Sequence, residues 1–344
     1  MNRLKDTTIN VCFIEKIPDN VQEYLKSKLT DVKNVVLNFL NTKNQTNISQ
    51  SVLNADILVG WRPTKSLLKS AKKMRFFINP GAGIRHLIEL FIELNREREV
   101  LLLNGHGNSY FVAQHAVALL LALMNKIILH HDYMKNGIWR TGDKEGASIP
   151  LRFRNVGLLG YGAINQKVHK MLSGFDIQFS ILRRNWEKQK EELITDAKKY
   201  ISTQLKEFLE EIDTLIIALP STSLTEDMIN IDELKLLGSY GILVNVSRGE
   251  IINEESLFIA LKNKVILGAA IDVWYNNKPI ADEKGKKYPF NFPFHELKNI
   301  ILSPHRGYSP FNDLLRWNEV IENIKRVAQG RQNLINVVNL DDEY

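Results

Sequence analysis

The segment VGLLGYGAINQ, residues 156–166, decides how the chain is read. An apolar run leads into Gly160-x-Gly162, and a stretch of helical period, AINQKVHKML, follows at once. A strand that breaks at glycines and opens a helix is the first turn of a βαβ unit suited to a dinucleotide. Gly160 allows the tight turn. Gly162 lets the backbone approach a pyrophosphate at the helix N-terminus, where Ala163 and Ile164 begin the helix. Asn165 stands where a third glycine would complete the pattern. That position serves helix–strand packing, so a small polar residue there costs packing and spares the phosphate cradle. The competing reading is a structural glycine turn without a ligand.

Outward from this segment the same alternation runs along the whole chain, short apolar runs separated by segments of helical period. In the first third, strands are expected at NVCFIE (10–15), VVLNFL (35–40), DILVGW (56–61), RFFINP (75–80) and VLLLN (100–104). Ser109 to Tyr133 reads as one long helix, apolar nearly all round in its first half and therefore buried. After a polar loop (136–150), six further strands follow: NVGLLG (155–160), FSILRR (179–184), TLIIALP (214–220), GILVNVS (241–247), GAAIDVW (268–274) and NIILSP (299–304). One more amphipathic helix, about Ser309 to Gln329, comes last and is expected to pack back on the first domain. The fold class predicted is α/β, with two Rossmann-like doubly wound parallel-sheet domains and an active-site cleft between them.

The 344 residues suffice for two domains, and 44% hydrophobic with 24% charged residues is ordinary for a globular chain. Lysine and arginine number 45 against 39 acids, a formal charge of +6 that favours an anionic small molecule. No basic tract carries interleaved aromatics, which argues against nucleic acid. Cys12 is the only cysteine, which excludes an intrachain disulfide and suits a reducing compartment. The most apolar stretch, HAVALLLALMNKIILHH, is broken by Asn125 and Lys126 and is too short for a bilayer. No membrane association and a cytoplasmic location are therefore expected, and MNRLKDTTIN contains no signal-peptide core.

An acid about 20 residues beyond the glycine turn ordinarily binds the ribose 2′-hydroxyl. Here the second strand ends in Arg183 and Arg184, a guanidinium pair able to grip a 2′-phosphate. This favours NADP over NAD, although the same pair also fits a solvated strand end. Arg248, in NVSRGE, follows an apolar strand at the carboxyl edge where doubly wound sheets bind ligands. Asp272 ends the strand GAAIDVW, and His305 closes the last one in NIILSPHRGYS.

With IIALPSTSLTEDMIN and the glycine turn, these stretches resemble the D-isomer-specific 2-hydroxyacid dehydrogenases from about Phe77 to Gly307. The resemblance implies an NAD(P)-dependent oxidoreductase acting on a small anionic 2-keto or D-2-hydroxy acid. Arg248 then binds the substrate carboxylate and the reacting oxygen, and His305 is the general acid/base. Asp272 is matched to the aspartate that bonds the nicotinamide carboxamide. Pro220, Thr225 and Val246 match positions lining the cofactor. Ala82 and Gly83, in INPGAGIRH, match the loop whose N–H groups hold the carboxylate, and Asn108 a polar residue near the substrate. Residues 1–104 with 306–344 would form the flavodoxin-like, substrate-binding domain, and 105–305 the dinucleotide-binding domain. A homodimer is implied too, through the helix after Ser109 and the loop carrying Trp139. His106, His115 and His130 match no role and are expected to be structural.

One family feature is missing. A glutamate normally follows the Asp of DV by five residues and keeps the histidine protonated. Here DVWYNNKP offers Asn277 at that spacing and Lys278 before Pro279. His305 is therefore expected to titrate lower. Asp282, Glu283 or Glu296 of the insertion are conceivable replacements, or Asn277 serves as an amide, an arrangement that resembles the formate dehydrogenases; phosphite oxidation is another relative. The insertion, aromatic and basic, would cover the cleft mouth, and Arg306 would add an anion contact. A nucleotide-sensing, corepressor-like protein without turnover is the rival from another class.

Overall fold

The computed structural model describes residues 8–40, 50–139, 146–187, 192–308 and 313–344. The chain divides into two compact units, one comprising the described residues of Met1–Asn108 and Pro310–Tyr344, the other those of Ser109–Ser309.

In the first unit, β1 (Ile9–Phe13), β2 (Val35–Phe39), β3 (Ile57–Val59), β4 (Phe76–Asn79) and β5 (Leu101–Asn104) form a parallel sheet in the order β2-β1-β3-β4-β5. This is the flavodoxin-like order. Alternate side chains of β1 enter different cores: Ile9, Val11 and Phe13 pack on one face of the sheet, Cys12 on the other. A sheet covered on both faces needs such near-continuous apolar strands. The terminal helix, Asn318–Ala328, lays Val320, Ile321, Ile324 and Val327 against the β1 face. It begins later than the sequence suggests, after a 3₁₀ turn at Leu314–Trp317, and residues 309–312 lie outside the described ones.

In the second unit, β6 (Asn155–Leu159), β7 (Gln178–Leu182), β8 (Ala197–Tyr200), β9 (Thr214–Ile217), β10 (Ile242–Asn245), β11 (Gly268–Ile271) and β12 (Ile300–Leu302) form a second parallel sheet. Its order is β12-β11-β10-β9-β6-β7-β8, so the chain reverses direction across the sheet between β6 and β9. That reversal is the switch point where such sheets bind ligands. Among the described residues, seven strands are present where six were expected. The additional one, β8, reads AKKY and is an edge strand with exposed lysines, so it lacks the apolar signal of its neighbours.

The expected long helix is two helices. Ser109–Met124 buries Ala113, Ala116, Leu120 and Met124 under the second sheet. The backbone then turns left-handed at Lys126 (φ +54°), and Ile127–Lys135 leaves at 64° to the first helix. No residue of this second helix is buried. Among the described residues, no single helix is long and apolar enough to cross a membrane.

Candidate active site

The glycine turn lies at the switch point of the second sheet. Gly160 has φ +84°, and a Cβ there would sit 2.7 Å from the Ala218 carbonyl at the end of β9. Only glycine meets both conditions. Gly162 is extended and exposed at the start of the helix Ala163–Leu172, with no side chain capping the first N–H groups. Those donors, with the half-buried Ala163 and Ile164 beside them, fit the pyrophosphate of a dinucleotide.

Asn165 does more than tolerate its position. Fully buried, its Nδ2 donates to the carbonyls of Gly160 (2.7 Å), Leu159 (3.3 Å) and Ile216 (3.3 Å). The amide thus braces β6, the turn and β9 together. The expected packing penalty takes a different form: Oδ1 is buried with no partner among the described residues.

Tyr161, between the two glycines, points inward. Its hydroxyl lies 2.8 Å from His169 Nδ1, and His169 Nε2 lies 2.7 Å from Thr195 Oγ1. Burial brings His169 down to about 4, so it is a neutral structural link between turn and helix at neutral pH. Arg183, half-buried, holds its guanidinium carbon 5.4 Å from the Trp186 ring centre, while Arg184 is exposed. Thr225 Oγ1 donates to the Pro220 carbonyl at 2.7 Å and accepts from the Thr222 N–H at 2.9 Å, closing the loop after β9. Val246 is buried just beyond β10.

Arg248 follows in the turn after β10, which the buried Asn245 fastens by donating to the Arg248 carbonyl (2.9 Å) and accepting from the Ser247 N–H (3.0 Å). Its Nη1 donates to the Ser247 carbonyl at 2.6 Å. Burial works against its charge and Glu250 supports it. A Cβ on the next residue, Gly249, would lie 2.6 Å from the Trp274 backbone, so this turn closes only with glycine.

His305 occupies the left-handed region, φ +56°, immediately beyond β12. What fixes that conformation is Asp272. Its Oδ1 accepts from the Arg306 N–H (2.7 Å) and from the Ser303 hydroxyl, and its Oδ2 accepts from the Gly307 N–H (2.9 Å). His115 Nε2 lies 2.9 Å from Ser303 Oγ and 3.3 Å from Asp272 Oδ1. Burial opposes the Asp272 charge, but these hydrogen bonds outweigh it and hold the carboxyl below its ordinary range. Burial pushes the His305 imidazole down, the Arg248 charge pushes the same way, and the Asp272 carboxylate opposes both. The Arg248 guanidinium and the Asp272 carboxylate, from two other strand ends, therefore both act on the His305 imidazole.

His115 and Ser303 had no sequence signal. Nothing in VAQHA or SPH ties residue 115 to residue 303; only the packing of the helix Ser109–Met124 beside β11 and β12 brings them together. His106 and His130 contact Tyr344 Oη (3.1 Å) and the Gly146 carbonyl (2.9 Å) respectively. No cluster of metal-ligating side chains is present among the described residues.

The candidates for the missing glutamate do not reach His305. Asn277 and Glu283 are exposed, and Asp282 accepts the N–H groups of Lys284 and Lys286 in its own turn. Glu296 is exposed beside His295. Asp272 is the carboxylate that acts on His305 among the described residues. The insertion packs its aromatics on its own unit: Phe290 lies 4.9 Å from Trp274 and Phe292 5.3 Å from Phe258, ring centre to ring centre. The backbone N–H of Arg306 serves Asp272.

Ala82, Gly83 and Asn108 belong to the first unit. Ala82 and Gly83 form a half-exposed loop after β4, and Asn108 follows the end of β5. Gly105 permits close approach there, since a Cβ would lie 2.9 Å from the Pro80 carbonyl.

Residues 117–307 match the family model described as D-isomer specific 2-hydroxyacid dehydrogenase, NAD binding domain. A glyoxylate reductase of Thermococcus gammatolerans is 33% identical over 206 residues, covering 58% of this chain and 57% of that protein. The matches with the first curated relatives span little more than half of those proteins' length. Among solved structures, a D-isomer specific 2-hydroxyacid dehydrogenase from Xanthobacter autotrophicus, in complex with NADPH and MES, has a TM-score of 0.79 at 18% identity, covering 98% of this chain and all of that one. An NADPH-dependent glyoxylate/hydroxypyruvate reductase from Sinorhizobium meliloti, in complex with NADP and sulfate, has a TM-score of 0.75 at 19% identity, with 98% and 100% covered.

Proposed function

We propose, from the premise that this chain belongs to the D-isomer specific 2-hydroxyacid dehydrogenase family, that it reduces a small 2-keto acid such as glyoxylate or hydroxypyruvate to the corresponding 2-hydroxy acid, of D configuration where C2 becomes a stereocentre. The observation that carries this reading is the placement of Arg248, Asp272 and His305 beyond the carboxyl ends of β10, β11 and β12, three successive strands of the sheet that bears the glycine turn, with Arg248 and Asp272 both acting on the His305 charge.

Each residue then has a task that follows from its chemistry. Gly160, Gly162, Ala163 and Ile164 would hold the dinucleotide pyrophosphate, with Pro220, Thr225 and Val246 along its nicotinamide half. A nicotinamide dinucleotide held there would supply the hydride for C2 of the keto acid. Arg248 binds the substrate carboxylate through its planar fork and polarises the keto oxygen. His305 gives its proton to that oxygen, and in the reverse direction takes it back. Asp272 holds the His305 turn, and its second oxygen has capacity left for a carboxamide donor. Ala82, Gly83 and Asn108 would add substrate contacts.

Arg183, steadied over Trp186, and Arg184 support a 2′-phosphate and hence NADP over NAD. Affinity for the two nucleotides, measured by quenching of protein fluorescence, checks this: tighter binding of NAD would overturn it. The exposed Ile127, Ile128 and Met134 of a helix with no buried residue, beside exposed Trp139, support a homodimer across that helix. Light scattering on the protein and on Met134→Asp tests it, a monomeric parent being the contrary result.

The activity itself is tested by following NADPH absorbance on adding glyoxylate, hydroxypyruvate or pyruvate. Consumption is expected with at least one. Binding of NADPH without turnover on a broad panel of acids, formate and phosphite included with NADP, would favour a nucleotide sensor instead. The absence of a glutamate from the family's spacing, where Asn277 stands, is what supports that second reading.

A further inference from the structure

We propose that Asn79 and Asn104 are positioning residues, a buried pair that turns the N–H groups of Ala82, Gly83 and Ile84 outward as a cradle for the substrate carboxylate. The identity of the ligand rests on the function proposed above; the geometry of the pair does not.

The pair arises from register. Asn79 ends β4, Asn104 ends β5, and the two are direct partners across the parallel ladder, so their side chains leave the same face of the sheet. Both are buried, at 1% and 3% exposure. Their amides spend their donors on three successive carbonyls of the loop beyond β4. Asn79 Nδ2 donates to the carbonyls of Gly81 and Gly83, the latter at 3.4 Å, and Asn104 Nδ2 donates to that of Ala82 at 3.1 Å. The Gly105 N–H adds a bond to the Gly81 carbonyl at 3.3 Å.

A trans peptide points its N–H opposite to its C=O. Drawing the carbonyls of residues 81, 82 and 83 down onto the strand ends therefore turns the N–H groups of 82, 83 and 84 away from them. Among the described residues, none of these three N–H groups donates to a protein acceptor. Residues 81 to 83 are half-exposed, so a ligand can reach the cradle from that side, while the Ile84 side chain is buried. Successive unpartnered N–H groups form an anion-binding concavity, and a planar carboxylate accepts two such bonds with charge assistance. The amide chemistry is specific here. An aspartate would set negative oxygens against the loop carbonyls, and an apolar residue would release them. Asn79 Oδ1 is buried and has no partner among the described residues, so the loop uses the donor end of this side chain.

The test is binding of oxalate, an unreactive dicarboxylate, to the full chain saturated with NADP, measured by titration calorimetry. Asn104→Leu and Asn79→Leu keep the branched heavy-atom outline and remove the donors. Each should weaken oxalate about tenfold or more, with NADP affinity changed by less than about twofold. In turnover, KM for glyoxylate should rise by about the same factor with kcat little altered, a split that general loosening of the fold would not give. Should the variants misfold, hydrogen exchange of segment 80–86 in the unmodified protein still decides: oxalate should slow it. Oxalate binding unchanged in folded variants, no oxalate binding by the parent protein, or no protection of 80–86 each overturns the proposal. Asparagine-dependent oxalate binding without any keto-acid turnover would instead sink the proposed activity and leave the cradle standing.

Discussion

His305 sits in backbone territory that residues with a Cβ seldom occupy, and Asp272, which holds the turn there through the Arg306 and Gly307 N–H groups, also acts on its charge. Reduction needs the imidazolium, because its proton goes to the keto oxygen. Burial and the Arg248 charge both lower the His305 pKa beneath the ordinary 6.5, so the protonated fraction falls as pH rises through that lowered value. We expect kcat/KM for keto-acid reduction to decline with rising pH through an apparent pKa below 6.5, and the oxidative direction to gain over the same interval. A reductive plateau extending well above neutrality would contradict this assignment. Asp272 acts on His305 in the raising direction, so Asp272→Asn should move the descending limb to still lower pH and reduce kcat by about tenfold or more, since the amide offers one acceptor oxygen in place of two. The same profile, recorded on both proteins, reads both effects.

Between β6 and the helix Ala163–Leu172, one side chain does what the usual glycine cannot. Asn165 ties the carbonyls of three residues from two strands and the turn. Asn165→Gly, which restores the familiar glycine pattern, should therefore lower stability, by about 1–3 kcal/mol for the lost buried bonds, and weaken NADPH binding. Equilibrium denaturation and fluorescence titration measure the two; an unchanged or more stable glycine variant would show that the brace contributes nothing. The strands were legible because a sheet covered on both faces demands uninterrupted apolar runs, as in TLII and ILVN. β8 escaped because an edge strand can be polar, and the break at Lys126 escaped because an apolar run, Ile127 to Leu129, resumes directly after the two polar residues. Asn165 was recognised as a departure, but its three carbonyl partners lie on elements up to 51 residues away and leave no local trace.

At the scale of the molecule, the first unit owes part of its core to the last stretch of chain. Ile324, fully buried against the β1 face, is an example. Ile324→Ala should cost about 2–5 kcal/mol and speed hydrogen exchange in β1–β5, with β6–β12 and nucleotide affinity little changed. Uniform loosening of both sheets would count against separate cores. By itself, the sequence determined the α/β class, the glycine turn and the strand ends that bear Arg248, Asp272 and His305, because each is written in a contiguous run of a dozen residues or fewer whose periodicity and turn chemistry are local. Only the tertiary structure decided which side chains support them. The pairing of Asn79 with Asn104, the meeting of His115 with Ser303 and Asp272, and the exclusion of Asn277 from His305 all depend on strand register and helix placement. Those are settled by burial summed over the whole sheet, which no short stretch of sequence contains.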